Sequence, residues 1–316
     1  PEASIASVST QAGLSEKRVA NAKKWARLTN FMNDQGLTAE GRLVLEKDPY
    51  FEAIVTDWLI HFFGSFSGNG LEPKPETPSD WGFWTFVVYD FLVEHSIFQE
   101  KNLLTSVSLK MGNGKLEKTT KVWLKTYTQE SAIQRCRFLV LEENCFRTGM
   151  PNLQNPYTVG YFLACIWQRD FGDQISLLVS DLINASMGLG AVLGIKENQL
   201  REQLDRLAEL EIIEQRSARP HSMGTQPERR QGQETSYIVV RCWDNPLDLL
   251  ARAYEQDPAV PNRPLIQSLE GVFDDDDDGE LPFLSSVQTW LLNLCPKQPQ
   301  LPAKSTSFDP PLHLAG

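Results

Sequence analysis

The sequence predicts a mainly α-helical fold with small β wings, in which helix-turn-helix and winged-helix elements flank a helical middle. Three observations lead there. Apolar residues recur at helical spacing through most of the first 170 positions. Residues 171–243 alternate helix, turn, helix, strand, long polar loop and strand. Gly, Ser and Pro punctuate the chain where helices should start and stop.

Residues 4–12 form a short helical run, Gly13 supplies a turn, and Ser15 is placed to cap a second helix over 16–31. Val19, Ala22, Trp25, Ala26 and Phe31 share its apolar side. Lys17, Arg18, Asn21, Lys24 and Arg27 largely point elsewhere. That basic face suits either DNA contact or plain solvation of a helical hairpin. Next, 52–63 reads as a helix with Ile54, Trp58, Leu59 and Phe62 inside, 64–79 as a loop, and 81–94 as an aromatic core helix. Helices over 101–109 and 118–127 flank a turn at Gly112-Asn113-Gly114. A short strand is expected over 137–142, a loop over 152–157 and an apolar helix over 159–169.

The winged-helix pattern begins with a helix over 174–187 and a Gly-rich turn at Gly188, Gly190 and Gly194. A second helix over 196–210 carries Leu200, Leu204, Leu207 and Leu210 on one side. Strands over 211–215 and 235–243 enclose the loop 216–234, and a helix over 247–254 follows. The expected units are therefore 1–40, 41–170, 171–256 and a partly disordered, acidic, Pro-rich tail over 257–316, with one amphipathic island at 284–294.

In a winged helix the second helix enters the major groove and the wing reaches phosphates. Lys196, Asn198, Gln199, Gln203 and Arg206 are the helix residues suited to that contact, since Asn, Gln and Arg read base edges and Lys anchors phosphate. Glu197, Glu202, Asp205 and Glu209 oppose it. The wing is more basic, with Arg216, Arg219, His221, Arg229 and Arg230 against Glu228. Overall the chain has a formal net charge of −11, so a nonspecific coat of nucleic acid is excluded while local basic patches remain.

Five scattered cysteines without a CxxC pair argue for free thiols in a reducing compartment. His61 reads as a hydrogen-bonded core residue. No two histidines have metal-ligand spacing, and the acidic run 274–278 lacks the spacing of a calcium loop. No P-loop, nucleophile elbow or dinucleotide fingerprint appears. The most apolar stretch, 81–98, contains Asp90, Glu94 and His95, which suits a buried helix better than a membrane span. A cytoplasmic protein is expected. The chain opens at Pro1 rather than Met, so the gene product is expected to begin earlier.

Arg42, Asp48 and Tyr50 stand close in sequence around Pro49. Together they supply a phosphate anchor, a carboxylate and a phenol, the ingredients of phosphodiester chemistry. The simpler account is structural: Arg42 bridges Asp48 at a helix junction and Tyr50 packs.

Gly41-Arg42-Leu43-Val44 with Asp48-Pro49-Tyr50, then Trp58-Leu59-Ile60-His61, the aromatic stretch 81–86, and Lys121-Val122-Trp123-Leu124-Lys125-Thr126-Tyr127 resemble the SspB family of bacterial DNA phosphorothioation systems. The resemblance runs through about residues 1–250 and is most specific from Gly41 to His61. An Arg-, His- and aromatic-rich opening motif of that family has no counterpart here. The resemblance implies a DNA-nicking component that acts on double-stranded DNA beside other subunits of the system. Arg42 would then anchor the scissile phosphate, Asp48 would hold a divalent metal (Mg or Mn) or act as base, and Tyr50 would position or attack the strand. Two other expectations stand beside it. One is a noncatalytic adaptor that positions ATPase or sulfur-transfer partners, and the other is a transcription regulator.

Overall fold

The computed structural model describes residues 4–66, 82–112, 116–130, 132–185, 187–217 and 237–257. Helix α1 (Ile5–Ala12) starts where the Ser4 hydroxyl accepts the Ser7 amide at 3.1 Å. It ends at Gly13, whose φ of 67° is the left-handed geometry glycine adopts without strain. Ser15 caps α2 (Glu16–Leu28), which buries Val19, Ala22 and Ala26. The helix stops short of Phe31 because the Thr29 hydroxyl turns back onto the Trp25 carbonyl and Asn30 takes a φ of 58°.

A hairpin of β1 (Met32–Asn33) and β2 (Gly36–Leu37) leads into α3 (Ala39–Lys47), capped by Thr38. Here α3 meets the backbone of Phe31. A Cβ at Gly41 would stand 1.9 Å from the Phe31 carbonyl oxygen, so only glycine permits this approach.

Helix α4 (Ile54–Gly64) is buried on all sides from Val55 to Gly64, with Thr56, Asp57 and His61 set among its apolar residues. It packs against α9 (Pro156–Phe171), with the Phe62 and Phe162 rings stacked at 4.1 Å. Helix α9 begins three residues earlier than the sequence suggested, since Asn155 caps it and Pro156 suits its first turn. Around this pair lie α5 (Phe83–Phe86), a π-helical turn (Val87–Phe91), α6 (Leu92–Glu94), α7 (Glu100–Met111) and α8 (Leu116–Thr128).

A three-stranded antiparallel sheet in the order β3-β5-β4 joins β3 (Ile97–Phe98), β4 (Leu139–Glu142) and β5 (Cys145–Thr148). Only β4 was legible in the sequence. Glu143 and Asn144, at φ 48° and 73°, form the two-residue turn to β5 without the Asn-Gly signal that marks such hairpins.

The next unit runs β6 (Ser176–Leu178), α10 (Val179–Asn184), α11 (Leu189–Leu193), α12 (Glu197–Glu209), β7 (Ile213–Ser217) and β8 (Tyr237–Arg241). Its antiparallel sheet has the order β6-β8-β7, with Leu177 opposite Val239 and Val239 opposite Gln215. The single helix expected over 174–187 is thus a strand followed by a short helix. Leu177 and Val239 are both buried, and pairing with β8 overrides the helical tendency of a short apolar run. The Gly-rich turn likewise contains α11, whose Leu189, Val192 and Leu193 are buried. Helix α13 (Pro246–Gln256) closes the described chain and packs on α9 and α3.

Buried apolar residues form one cluster from Val8 to Tyr254. Among the described residues, no helix is long and apolar enough to cross a membrane. The tail beyond Asp257 lies outside the described residues, as does the loop 218–236 with Arg219, His221, Arg229 and Arg230.

Candidate functional site

The junction between α3 and α4 is built around two buried carboxylates and one guanidinium. Asp48 ends α3 and is 5% exposed. Its Oδ1 accepts the Glu52 amide at 2.7 Å, and its Oδ2 accepts the Ala53 amide at 3.0 Å and the Thr56 hydroxyl. Burial holds its carboxyl above the usual carboxylate range, and those three hydrogen bonds oppose the shift.

Arg135, from the 3-10 turn Gln134–Cys136, enters from the other side. Its Nε and Nη2 donate to the Asp57 carboxylate at 2.8 and 2.7 Å, and its remaining donors reach the carbonyls of Phe51 and Glu52. Both ends of the 51–57 segment are therefore held by side chains. The Thr56 hydroxyl also meets the Tyr254 hydroxyl at 2.9 Å, which ties α13 to the junction.

Arg42 is exposed and donates to the Leu37 carbonyl at 2.7 Å. Tyr50 is 47% exposed. Arg42 does not bridge Asp48, which instead has Arg135 as its cationic neighbour. The sequence reading missed Arg135, because no local pattern links it to partners 78 positions away.

A divalent metal does not fit Asp48. Its oxygens already accept three protein donors, whereas Mg²⁺ demands an octahedral shell with several waters. Among the described residues, no three His, Cys, Asp or Glu side chains gather as a metal site.

A cavity of about 240 Å³ opens beside this junction. Its walls are the first turn of α4, the 152–155 segment, Thr158 of α9 and the end of α13 at Gln256 and Asp257. Helix α4 has no side-chain cap of its own, and the Asp257 Oδ2 accepts the Val55 amide at 2.7 Å. Burial raises the Asp257 carboxyl, which that backbone bond and Arg135 offset.

Two surfaces carry the sequence-predicted DNA contacts. On α2, Lys17 and Lys24 are exposed, Arg18 is half-buried, and Arg27 pairs with Asp34 at 2.7 Å. At the start of α12, Lys196, Asn198 and Gln199 are exposed, and Gln199 Oε1 accepts the Lys196 amide. Arg206 faces inward, donating to the carbonyls of Leu153 and Gln154 at 2.9 Å each. Arg216 is chelated by Glu214 at 2.7 and 2.6 Å.

These features define a mainly α-helical protein with small antiparallel sheets and a terminal unit of three helices and three strands. Its fold is that of SspB. A crystal structure of magnesium-bound SspB matches with a TM-score of 0.56 over 91% of this chain and 87% of its own, at 16% identity. A second SspB crystal structure matches with a TM-score of 0.54 over 81% of this chain and 80% of its own, at 17% identity. No protein-family model matches the chain, and no curated protein matches it in sequence.

Proposed function

We propose that this chain binds double-stranded DNA as a component of a DNA phosphorothioation system, and that it positions the DNA for partner subunits. The carrying observation is the order β6-α10-α11-α12-β7-β8 with sheet order β6-β8-β7. We read that connectivity as a winged helix, with α12 as its recognition helix. Lys196, Asn198 and Gln199 stand exposed at the start of α12, the end such helices turn toward base edges. The acid that follows is partly neutralised within the helix, since Glu197 accepts Arg201 at 2.7 Å. Lys17 and Lys24 on α2 add phosphate contacts, and the sequence between β7 and β8 adds Arg219, Arg229 and Arg230. The SspB fold supports membership of such a system, beside ATPase and sulfur-transfer partners.

Positioning is favoured over nicking because the Asp48 carboxylate is enclosed and already accepts three protein donors. The test combines duplex binding across a salt series with a supercoiled-plasmid assay in Mg²⁺ or Mn²⁺. Salt-sensitive binding without open-circle product is expected. Open-circle product that Asp48→Ala abolishes, with the fold intact, would overturn positioning and restore nicking. Binding absent at every salt concentration would remove the DNA reading altogether.

A further inference from the structure

The cavity beside the α3–α4 junction has no part in the reading above, and its chemistry is distinctive. Its wall includes Asn152, Gln154, Gln256, Asp257 and Trp58, with Asn155 committed to capping α9 and to the Ala253 carbonyl. Among the described residues no Lys or Arg lines it, so none of them would anchor a phosphate or a carboxylate ligand there. Amides offer donors and acceptors side by side, as the edge of a flat heterocycle requires. A carboxylate only accepts, and it has room for about four hydrogen bonds, so Asp257 retains capacity beyond its backbone bonds to α4.

The wall mixes solvated, committed and unsatisfied polar groups. Gln154 and Gln256 are exposed residues of its wall, so their amides are solvated and open to a ligand. Thr158, also in the wall, is only 2% exposed, and its hydroxyl is buried without a partner. A buried hydroxyl in that state loses roughly 1–3 kcal/mol until something bonds it. The volume of about 240 Å³ falls just below that of sites for drug-sized molecules. It suits one ring system rather than a whole nucleotide.

We infer that this cavity takes a single amino-bearing nucleobase (cytosine, adenine or guanine in preference to thymine). The exocyclic amino group donates to Asp257, as acidic side chains read such groups elsewhere. Gln154 and Gln256 bond the remaining ring edge, and Trp58 lends apolar surface. Arg206 links the cavity to α12 by holding the carbonyls of Leu153 and Gln154. An unstacked base from DNA docked on α12 thus has a receptor on the same molecule, a step that rests on the DNA reading; unstacking itself costs a few kcal/mol.

The test titrates cytidine, adenosine, guanosine and thymidine into the full chain, followed by saturation-transfer NMR. At least one amino-bearing nucleoside should bind saturably, with thymidine about tenfold weaker, the worth of a hydrogen bond to a charged group. Asp257→Asn should erase that preference. Gln154→Ala, at an exposed residue, should weaken binding without lowering the melting temperature. Equal or absent binding of all four nucleosides overturns the inference, as does binding that neither substitution changes. Nucleosides carry no phosphate, so loss of duplex binding with retained nucleoside binding sinks only the proposed function. The reverse result sinks only the base site.

Discussion

Arg206 of α12 donates through Nη2 to the carbonyl oxygen of Gln154 at 2.9 Å, and through Nη1 to that of Leu153 at the same distance. The side chain that sequence spacing placed on the DNA-reading face instead fixes the rim of the cavity. Arg206→Ala should destabilise the protein by about 1–2 kcal/mol, allowing for its half-buried position. It should weaken nucleoside binding and leave the salt dependence of duplex binding unchanged. Arg206→Lys should recover little, because an ammonium cannot span two carbonyls as a planar fork does. Denaturant midpoints and salt titrations check this. A flattened salt slope at unchanged stability would return Arg206 to the DNA face.

Lys196 and Arg216 should differ in the same titrations. Lys196 is exposed at the start of α12. Its replacement by Ala should lower the log–log salt slope by about 0.9, the worth of one phosphate contact. Arg216 already has Glu214 on both its Nε and its Nη2, so Arg216→Ala should change the slope far less. Removing Glu214 should steepen the slope, because the freed guanidinium can then meet phosphate. Equal losses for Lys196→Ala and Arg216→Ala would mean that the Glu214 pair opens on DNA.

The clamp around residues 51–57 is the part of the molecule most sensitive to single substitutions. Arg135→Ala leaves the fully buried Asp57 carboxylate without its cation, at a cost of about 3–5 kcal/mol. Replacing both partners by Leu should cost less than the single change, because no unpaired charge then stays buried. Asp48→Asn should cost about 1–3 kcal/mol, since an amide offers one acceptor where two oxygens take three donors. Thermal or urea unfolding measures each. If Asp48→Asn kept full stability while DNA handling fell, Asp48 would act in function rather than in folding.

The legible parts of this fold are those encoded locally. Gly13 and Ser15 mark helix ends within a few residues of the groups they bond and act as read, while Ser4 caps the helix it was expected to begin. Leu200, Leu204 and Leu207 lie on one side of α12 and are buried there. His61 is the hydrogen-bonded core histidine its apolar helix suggested. What escaped depends on distant partners. Strand β6 exists because β8, some sixty positions on, pairs with it. Arg135 and Asp257 reach α4 and its approach from 78 and 202 positions away, so their roles leave no periodic trace. The same holds for the candidate base site, whose walls come from three separate stretches of chain. Gly41 is the instructive middle case. It belongs to the run that resembles SspB, and its close approach to Phe31 supplies a physical reason for glycine there.

His61 sets the response to acid. It is wholly buried, with Nε2 2.6 Å from the Val192 carbonyl and Nδ1 2.6 Å from the Tyr127 hydroxyl. A carbonyl only accepts, so Nε2 carries the proton and Nδ1 accepts from Tyr127, whose oxygen in turn accepts the Trp84 indole N–H at 2.8 Å. Neutral imidazole satisfies this chain, and a second ring proton would break it. Burial accordingly lowers the His61 pKa to about 3 from its ordinary value of 6.5. A depressed pKa means that the folded state binds fewer protons than the unfolded chain. The contribution is complete above pH 6.5 and is lost as the pH falls toward 3, at about 1.4 kcal/mol per unit. Asp48 and Asp257, with raised values, act in the opposite sense and partly mask it. His61→Gln isolates the effect, since glutamine does not titrate. Between pH 6.5 and 4.5 the wild type should lose about 2–3 kcal/mol more than this variant in urea unfolding. Parallel stability curves for the two proteins would show that the buried imidazole accepts a proton in the folded state, and that the Trp84–Tyr127–His61 chain rearranges to allow it.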